Sequence, residues 1–151
     1  MTRYLGIDYG TKQIGLAVSD TGGTLAAPLR TIRASRDLQQ DIRLILQGSR
    51  EYDDVDAFVV GLPLHMDGTA GVQAKLTREF ANELGRVTGK PIHLWDERLS
   101  SRTADELLRE HGVTRKKRKA HQDRVAAQVI LQEFLDARAN PPPGGTGLDE
   151  R

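Results

Sequence analysis

Two short segments near the start of the chain place apolar residues at alternate positions. In residues 3 to 8, Leu5 and Ile7 share one face, and Tyr4, Gly6 and Asp8 share the other. Residues 14 to 19 carry Ile14, Leu16 and Val18 in the same way. Both segments read as strands, joined by the turn Tyr9-Gly10-Thr11-Lys12. A third strand is expected from Thr24 to Ile32, after a Gly22-Gly23 hairpin turn. Three strands linked by short turns predict an antiparallel meander.

The period then changes. Leu38, Ile42, Ile45 and Leu46 recur at helical spacing within residues 35 to 50, with Ser35 as the expected N-cap. The continuous apolar run "DAFVVGLPL", 56 to 64, has strand length and no polar face, as for a strand covered on both sides. A loop, "PLHMDGTAG", leads to a helix from about Val72 to Val87. "PIHLWDE", 91 to 97, is the last strand. Ser100 or Ser101 then caps a helix ending near Gly112. "VTRKKRKAHQ" is expected to link it to a final helix, about Ala120 to Arg138. The order β-β-β-α-β-α-β-α-α predicts an α/β fold with a five-stranded mixed sheet, three strands antiparallel and two parallel, flanked by helices. Residues 1–138 form one domain, and the Pro/Gly-rich segment 139–151 is expected to be a disordered tail.

Composition narrows the chemistry. The absence of cysteine excludes disulfides, zinc-thiolate sites and thiol nucleophiles. No run approaches the roughly 20 apolar residues that span a bilayer, and no signal peptide is evident, so a cytoplasmic location without membrane attachment is expected. Net charge is only +1, but its distribution is uneven. Arg98 to Arg124 holds nine Arg or Lys against four acids.

Three acids then stand out. A lone carboxylate on a central strand, such as Asp8, is costly to bury without a partner. Glu97 ends the last strand, where loops open into clefts. In the last helix, Ile130 and Phe134 each lie about 20° around the axis from Asp123, so this acid shares their buried face. A salt bridge to a neighbouring Arg or Lys would satisfy Asp123 equally well. Together, three such acids would repel one another and take up protons unless cations intervened. Oxygen-only ligation points to Mg²⁺ or Mn²⁺. Two such ions would suit phosphodiester hydrolysis.

The segments "GIDYGTKQIGLAVSD", "VVGLPLHMDGT", "DERLSS" and "HQDRVAAQVILQEFL" resemble the YqgF/RuvX family, in this order and from about Arg3 to Leu135. That family is described as Holliday-junction resolvases or as nucleases maturing pre-16S ribosomal RNA. The resemblance implies a ribonuclease H-like fold with Asp8, Glu97 and Asp123 as its acidic triad, both catalytic and metal-holding. Where this chain has His65, the family usually has Asn.

Nucleic-acid contacts are expected from several segments. The "YGTK" turn offers backbone N–H groups, the Thr11 hydroxyl and Lys12 to a phosphate. His65 lies in a Gly-containing loop after a parallel strand. The cluster Arg115, Lys116, Lys117, Arg118 and Lys119 immediately precedes the helix of Asp123, and Arg98 and Arg102 follow Glu97. Aromatic residues make up only 5%, so recognition would depend on backbone and shape more than on base stacking.

The reading is therefore a metal-dependent endonuclease of structured nucleic acid, branched DNA or precursor rRNA. Junction resolution requires two symmetric cuts and hence a homodimer; maturation of an RNA end does not. The alternative is a nucleic-acid-binding protein without catalysis, its acids held in salt bridges. A phosphotransferase of the actin and sugar-kinase type, suggested by "DYGTKQIGLAV", needs two such domains, and 151 residues are too few.

Overall fold

The structure, a computed structural model, describes residues 2–65, 67–97 and 115–139, and in the last segment it describes side chains from Val125 onward. Its elements run in the order β1 (Arg3–Tyr9), β2 (Gln13–Ser19), β3 (Ala26–Arg33), α1 (Leu38–Gly48), β4 (Val55–Leu62), α2 (Val72–Thr88), β5 (Ile92–Asp96) and α3 (Arg115–Ala139). The sheet order is β3-β2-β1-β4-β5. β1, β2 and β3 pair antiparallel, and β4 and β5 add to β1 in parallel. The expected five-stranded mixed sheet is present.

Alternation along the strands divides the core in two. Leu5, Ile7, Leu16, Phe58, Val60 and Leu62 pack with Ile42 and Ile45 of α1 and Phe80 and Leu84 of α2. Tyr4, Ala17, Ala57, Val59 and Trp95 pack on the other face, against Ala127, Ile130, Leu131, Phe134 and Leu135 of α3. The apolar run of β4 is thus explained, since its side chains meet helices on both sides.

Helix α3 lies close to the sheet because Gly6 has no side chain. A Cβ there would stand 2.8 Å from Leu131 Cβ. The helix runs against β1: Phe134 meets Tyr4 edge-on at 5.3 Å, and Ala127 and Leu131 cover Gly6. Further along the sheet, Gln132 accepts from Ala26 N–H at 2.9 Å and donates to Thr24 O at 2.9 Å, fastening the edge strand β3 to α3.

Three boundaries differ from the sequence expectation. The N-cap of α1 is Asp37, whose carboxylate accepts from Gln39 and Gln40 N–H; Ser35 instead donates its hydroxyl to Asp41. Strand β3 begins at Ala26, because the Asp20 carboxylate takes the amides of Thr24 and Leu25 and holds them in the loop. The last helix begins at Arg115 rather than Ala120. The basic run is helical because Lys and Arg are good helix formers and no Gly or Pro interrupts them. The segment 139–151 expected as a disordered tail begins one residue late, since Ala139 ends α3; the rest of it, and the helix expected between residues 100 and 112, lie outside the described residues. Among the described residues, no helix is long and apolar enough to cross a membrane.

Candidate active site

The carboxyl ends of β1, β4 and β5 lie side by side at one edge of the sheet, where loops leave a parallel layer and sites commonly form. Asp8 is the penultimate residue of β1, on the α3 face with Tyr4 and Gly6. Glu97 follows the last residue of β5 and has the parity of Trp95, which faces α3. Both acids are half-buried.

The two carboxyl groups hydrogen-bond to each other. Burial, the adjacent Asp8 charge, that hydrogen bond and the charge of Asp96 push Glu97 up from the usual 4.5 to about 8. The direction is the one expected of two carboxyl groups held this close, each disfavouring ionisation of the other.

What lets the acids meet is a glycine on the strand between them. The pairing Ile7–Val60 places Gly61 one step further along, next to Asp8, and Gly61 pairs with Trp95 on β5. A Cβ at Gly61 would stand 2.8 Å from Glu97 Cγ and 3.1 Å from Cδ. Glu97 thus reaches over β4 through a slot that any side chain would close. Ile130 of α3 roofs the same slot, with Cδ1 only 2.6 Å from that Cβ position.

The end of β1 is also gripped from the opposite face. Tyr9 stacks on Phe80 at 4.1 Å with a 6° interplanar angle, and donates its hydroxyl to Asp41 Oδ2 at 2.9 Å. Asp41, only 1% exposed, also accepts from Ser35 N–H and Oγ–H at 2.7 and 2.8 Å. Burial, and then Asp41 itself, push the Tyr9 phenol upward. Gln73 of α2 donates to the Tyr9 carbonyl at 2.9 Å. Both α1 and α2 thereby hold the residue beside Asp8. No single segment of the sequence signals this network, because Tyr9 and Asp41 are 32 positions apart; for Gly61 the available signal is a glycine inside an apolar strand.

The other expected residues fall as follows. Thr11 and Lys12 are exposed in the turn after β1, where Gly10 N–H donates to Gln13 O at 3.0 Å. His65 is exposed in the loop after β4, its Nε2 2.6 Å from where a Gly71 Cβ would stand at the start of α2. In that loop Asp67 accepts from the Thr69 hydroxyl and N–H, which hold its carboxyl below the usual range. No contact joins His65 to the acid pair among the described residues. Asp123 lies in α3 one turn before Ala127, the residue over Gly6, so its backbone belongs to the turn nearest the Asp8 end of β1. Its side chain, those of Arg115, Lys116, Lys117, Arg118 and Lys119, and all of Arg98 and Arg102 lie outside the described residues.

Among the described residues, no group of three metal-ligating side chains occurs. The Asp8–Glu97 pair nevertheless fits a divalent cation. It offers carboxylate oxygens only, the donor set of hard ions, and two acids held within hydrogen-bonding reach suit a cation between them.

The family model described as "RuvX: Holliday junction resolvase" matches residues 2–137. A protein of Symbiobacterium thermophilum named "Putative pre-16S rRNA nuclease" is 46% identical over 138 residues, covering 91% of this chain and 94% of its own. One of the same name from Anaeromyxobacter sp. is 46% identical over 136 residues, 90% of this chain and 98% of its own. Among solved structures, RuvC of T. thermophilus in complex with a Holliday junction substrate superposes with a TM-score of 0.60. It covers 98% of this chain and 100% of its own at 14% identity, a likeness of fold. With its four motifs in order, a model match along nearly its whole length and relatives sharing almost half its residues, the chain belongs to the RuvX family.

Proposed function

We propose that this protein is a metal-dependent endonuclease of structured nucleic acid, in which Asp8, Glu97 and Asp123 hold Mg²⁺ or Mn²⁺. The observation that carries the reading is the meeting of the Asp8 and Glu97 carboxyl groups, hydrogen-bonded to each other, at the ends of the sheet strands β1 and β5. The contact joins acid to acid across β4, the arrangement a divalent ion would bind. The names of the relatives support a nuclease and point to pre-16S rRNA; the RuvC complex points to branched DNA.

The chain's own residues have defined tasks. Asp8, fixed by the ladder to β2 and by Tyr9, supplies a rigid carboxylate. Glu97 gives up its proton when a cation replaces it. Divalent ions, when bound, supply charge neutralisation at the attacking and leaving oxygens of a phosphodiester displacement. Thr11 and Lys12, in the turn after β1, contact the substrate phosphates, and Arg98, Arg102 and the run Arg115, Lys116, Lys117, Arg118 and Lys119 extend the cationic surface. His65 contacts substrate from the loop after β4. Two symmetric cuts in a junction require two such sites, so resolution of DNA would be accompanied by a homodimer, measurable by light scattering.

The test is parallel cleavage of a synthetic four-way junction and a precursor-rRNA fragment in Mn²⁺, Mg²⁺ and chelator. Cleavage of at least one substrate in metal is expected, with none in chelator. Asp8→Asn should abolish cleavage and retain binding. Chelator-resistant cleavage, or an active Asp8→Asn protein, would overturn the proposal.

A further inference from the structure

A hollow of about 650 Å³ opens beside the turn that follows Asp8, lined by Thr11, Lys12, Gln13, Arg33, Ala34, Ser35 and Arg36. Three cations occupy this one concavity, all exposed. Elsewhere, Arg3, Arg30 and Arg86 pair with Asp54, Glu51 and Glu83. Among the described residues, no carboxylate lies within ion-pair distance of Lys12, Arg33 or Arg36. The two acids next along the chain are engaged otherwise: Asp37 caps α1, and Asp41 is buried against Tyr9 and Ser35.

The placement of Arg33 relative to Asp8 follows from the strand register. Asp8 pairs with Gly15, and Gln13, two residues away on the same face, pairs with Arg33. Arg33 therefore projects on the Asp8 side of the sheet. Two strand spacings and a two-residue step put it about 12 Å away along the backbone. Lys12 is tied to the same corner, its carbonyl accepting from Ala34 N–H at 2.9 Å.

Arg36 adds an independent observation. Its φ of 66° makes it the one non-glycine residue in the left-handed region among those described. An arginine adopts that conformation only where its surroundings impose it. Here the surroundings are the flanking residues, Ser35 bonded twice to buried Asp41 and Asp37 capping α1. The constraint holds Arg36 at the rim of the hollow.

We propose that Lys12, Arg33 and Arg36 form a phosphate-binding cleft that grips the substrate's phosphodiester backbone two strands away from Asp8, on the β3 side of the sheet. The proposal rests on the nuclease reading and adds a second anchor to it. Cations with no acidic partner among the described residues, set around a polar hollow, suit a chain of phosphates, which supplies negative charge and releases counterions on binding. The cleft presents no exposed aromatic side chain, so it grips backbone without reading bases.

The test uses the full chain in the Asp8→Asn background, with a fluorescein-labelled four-way junction and a labelled precursor-rRNA fragment, followed by anisotropy between 50 and 200 mM KCl. Adding Arg33→Gln and Arg36→Gln should flatten the slope of log affinity against log salt by about 1.4–1.8, from the loss of two phosphate contacts. Arg36→Gly removes the charge while easing the left-handed backbone, so its loss of affinity, about half the effect, cannot come from unfolding. Arg86→Gln, which removes a cation already paired with Glu83, should leave the slope in place. Unchanged affinity and slope in the double variant, with the parent still binding, would overturn the cleft and leave the nuclease reading standing. An equal drop for Arg86→Gln would reduce the effect to net charge and overturn it as well. A parent that binds neither probe would defeat both proposals.

Discussion

Replacing Glu97 by Gln tests the Glu97 proton directly. The Gln amide has the shape of a protonated Glu and can donate to the Asp8 carboxylate as the acid does, but it cannot ionise. In the wild-type chain Glu97 sits at about 8 against the usual 4.5. Between these values the folded state holds a proton that the unfolded chain has released. Stability is therefore greatest below about pH 4.5 and is lost as pH rises through 8. At about 1.4 kcal/mol per unit the ceiling is roughly 5 kcal/mol, and solvent screening at a half-buried site brings it to about 2–3 kcal/mol. Urea unfolding in chelator at pH 5 and pH 8.5 should show the wild type losing about that much and Glu97→Gln losing far less. Mn²⁺ or Mg²⁺ should restore wild-type stability at pH 8.5 and do little for the variant, because the cation takes the place of the proton. Equal pH losses in both proteins, or equal stabilisation by metal, would refute the reasoning.

Three further outcomes follow from the packing. Gly61→Ala puts a methyl 2.8 Å from Glu97 Cγ and 2.6 Å from Ile130 Cδ1; unfolding should show a loss of about 1–3 kcal/mol, and cleavage assays a drop of roughly 100-fold as the carboxyl is displaced. Tyr9→Phe keeps the stack on Phe80 but removes a donor to buried Asp41, which should cost about 1–2 kcal/mol by urea titration. Gln132→Ala frees the edge of β3 from α3, and hydrogen exchange should show faster exchange at Ala26, whose N–H it now accepts.

The sequence conveyed the frame of the site better than its fit. The face of Asp8 followed from strand alternation, and the position of Glu97 followed from the end of the last strand. Both are local properties, carried by residues within one element. The role of Gly61 was not legible, since it depends on β4 lying between β1 and β5, a neighbour relation that no single segment encodes. The Tyr9–Asp41 bond was hidden for the same reason. Ser35 and Asp37 are both N-cap residue types, and only the tertiary pull of Asp41 on Ser35 decides between them. The basic run 115–119 was read as a linker from its charge, although its helix propensity pointed the other way. Arg33 and Arg36 look like ordinary surface arginines in sequence; that they have no acidic partner among the described residues is visible only once the fold has paired Arg3, Arg30 and Arg86.

The two acids of the site are anchored unequally. Asp8 belongs to a strand bonded to a neighbour on each side, so its backbone can shift only if the sheet shifts with it. Glu97 lies beyond the final rung that joins Leu62 to Asp96 and crosses to its partner on a flexible side chain. Any adjustment to occupants of different radius therefore falls to Glu97, making the pair a fixed jaw and a hinged one, with the width of the gap set at residue 61.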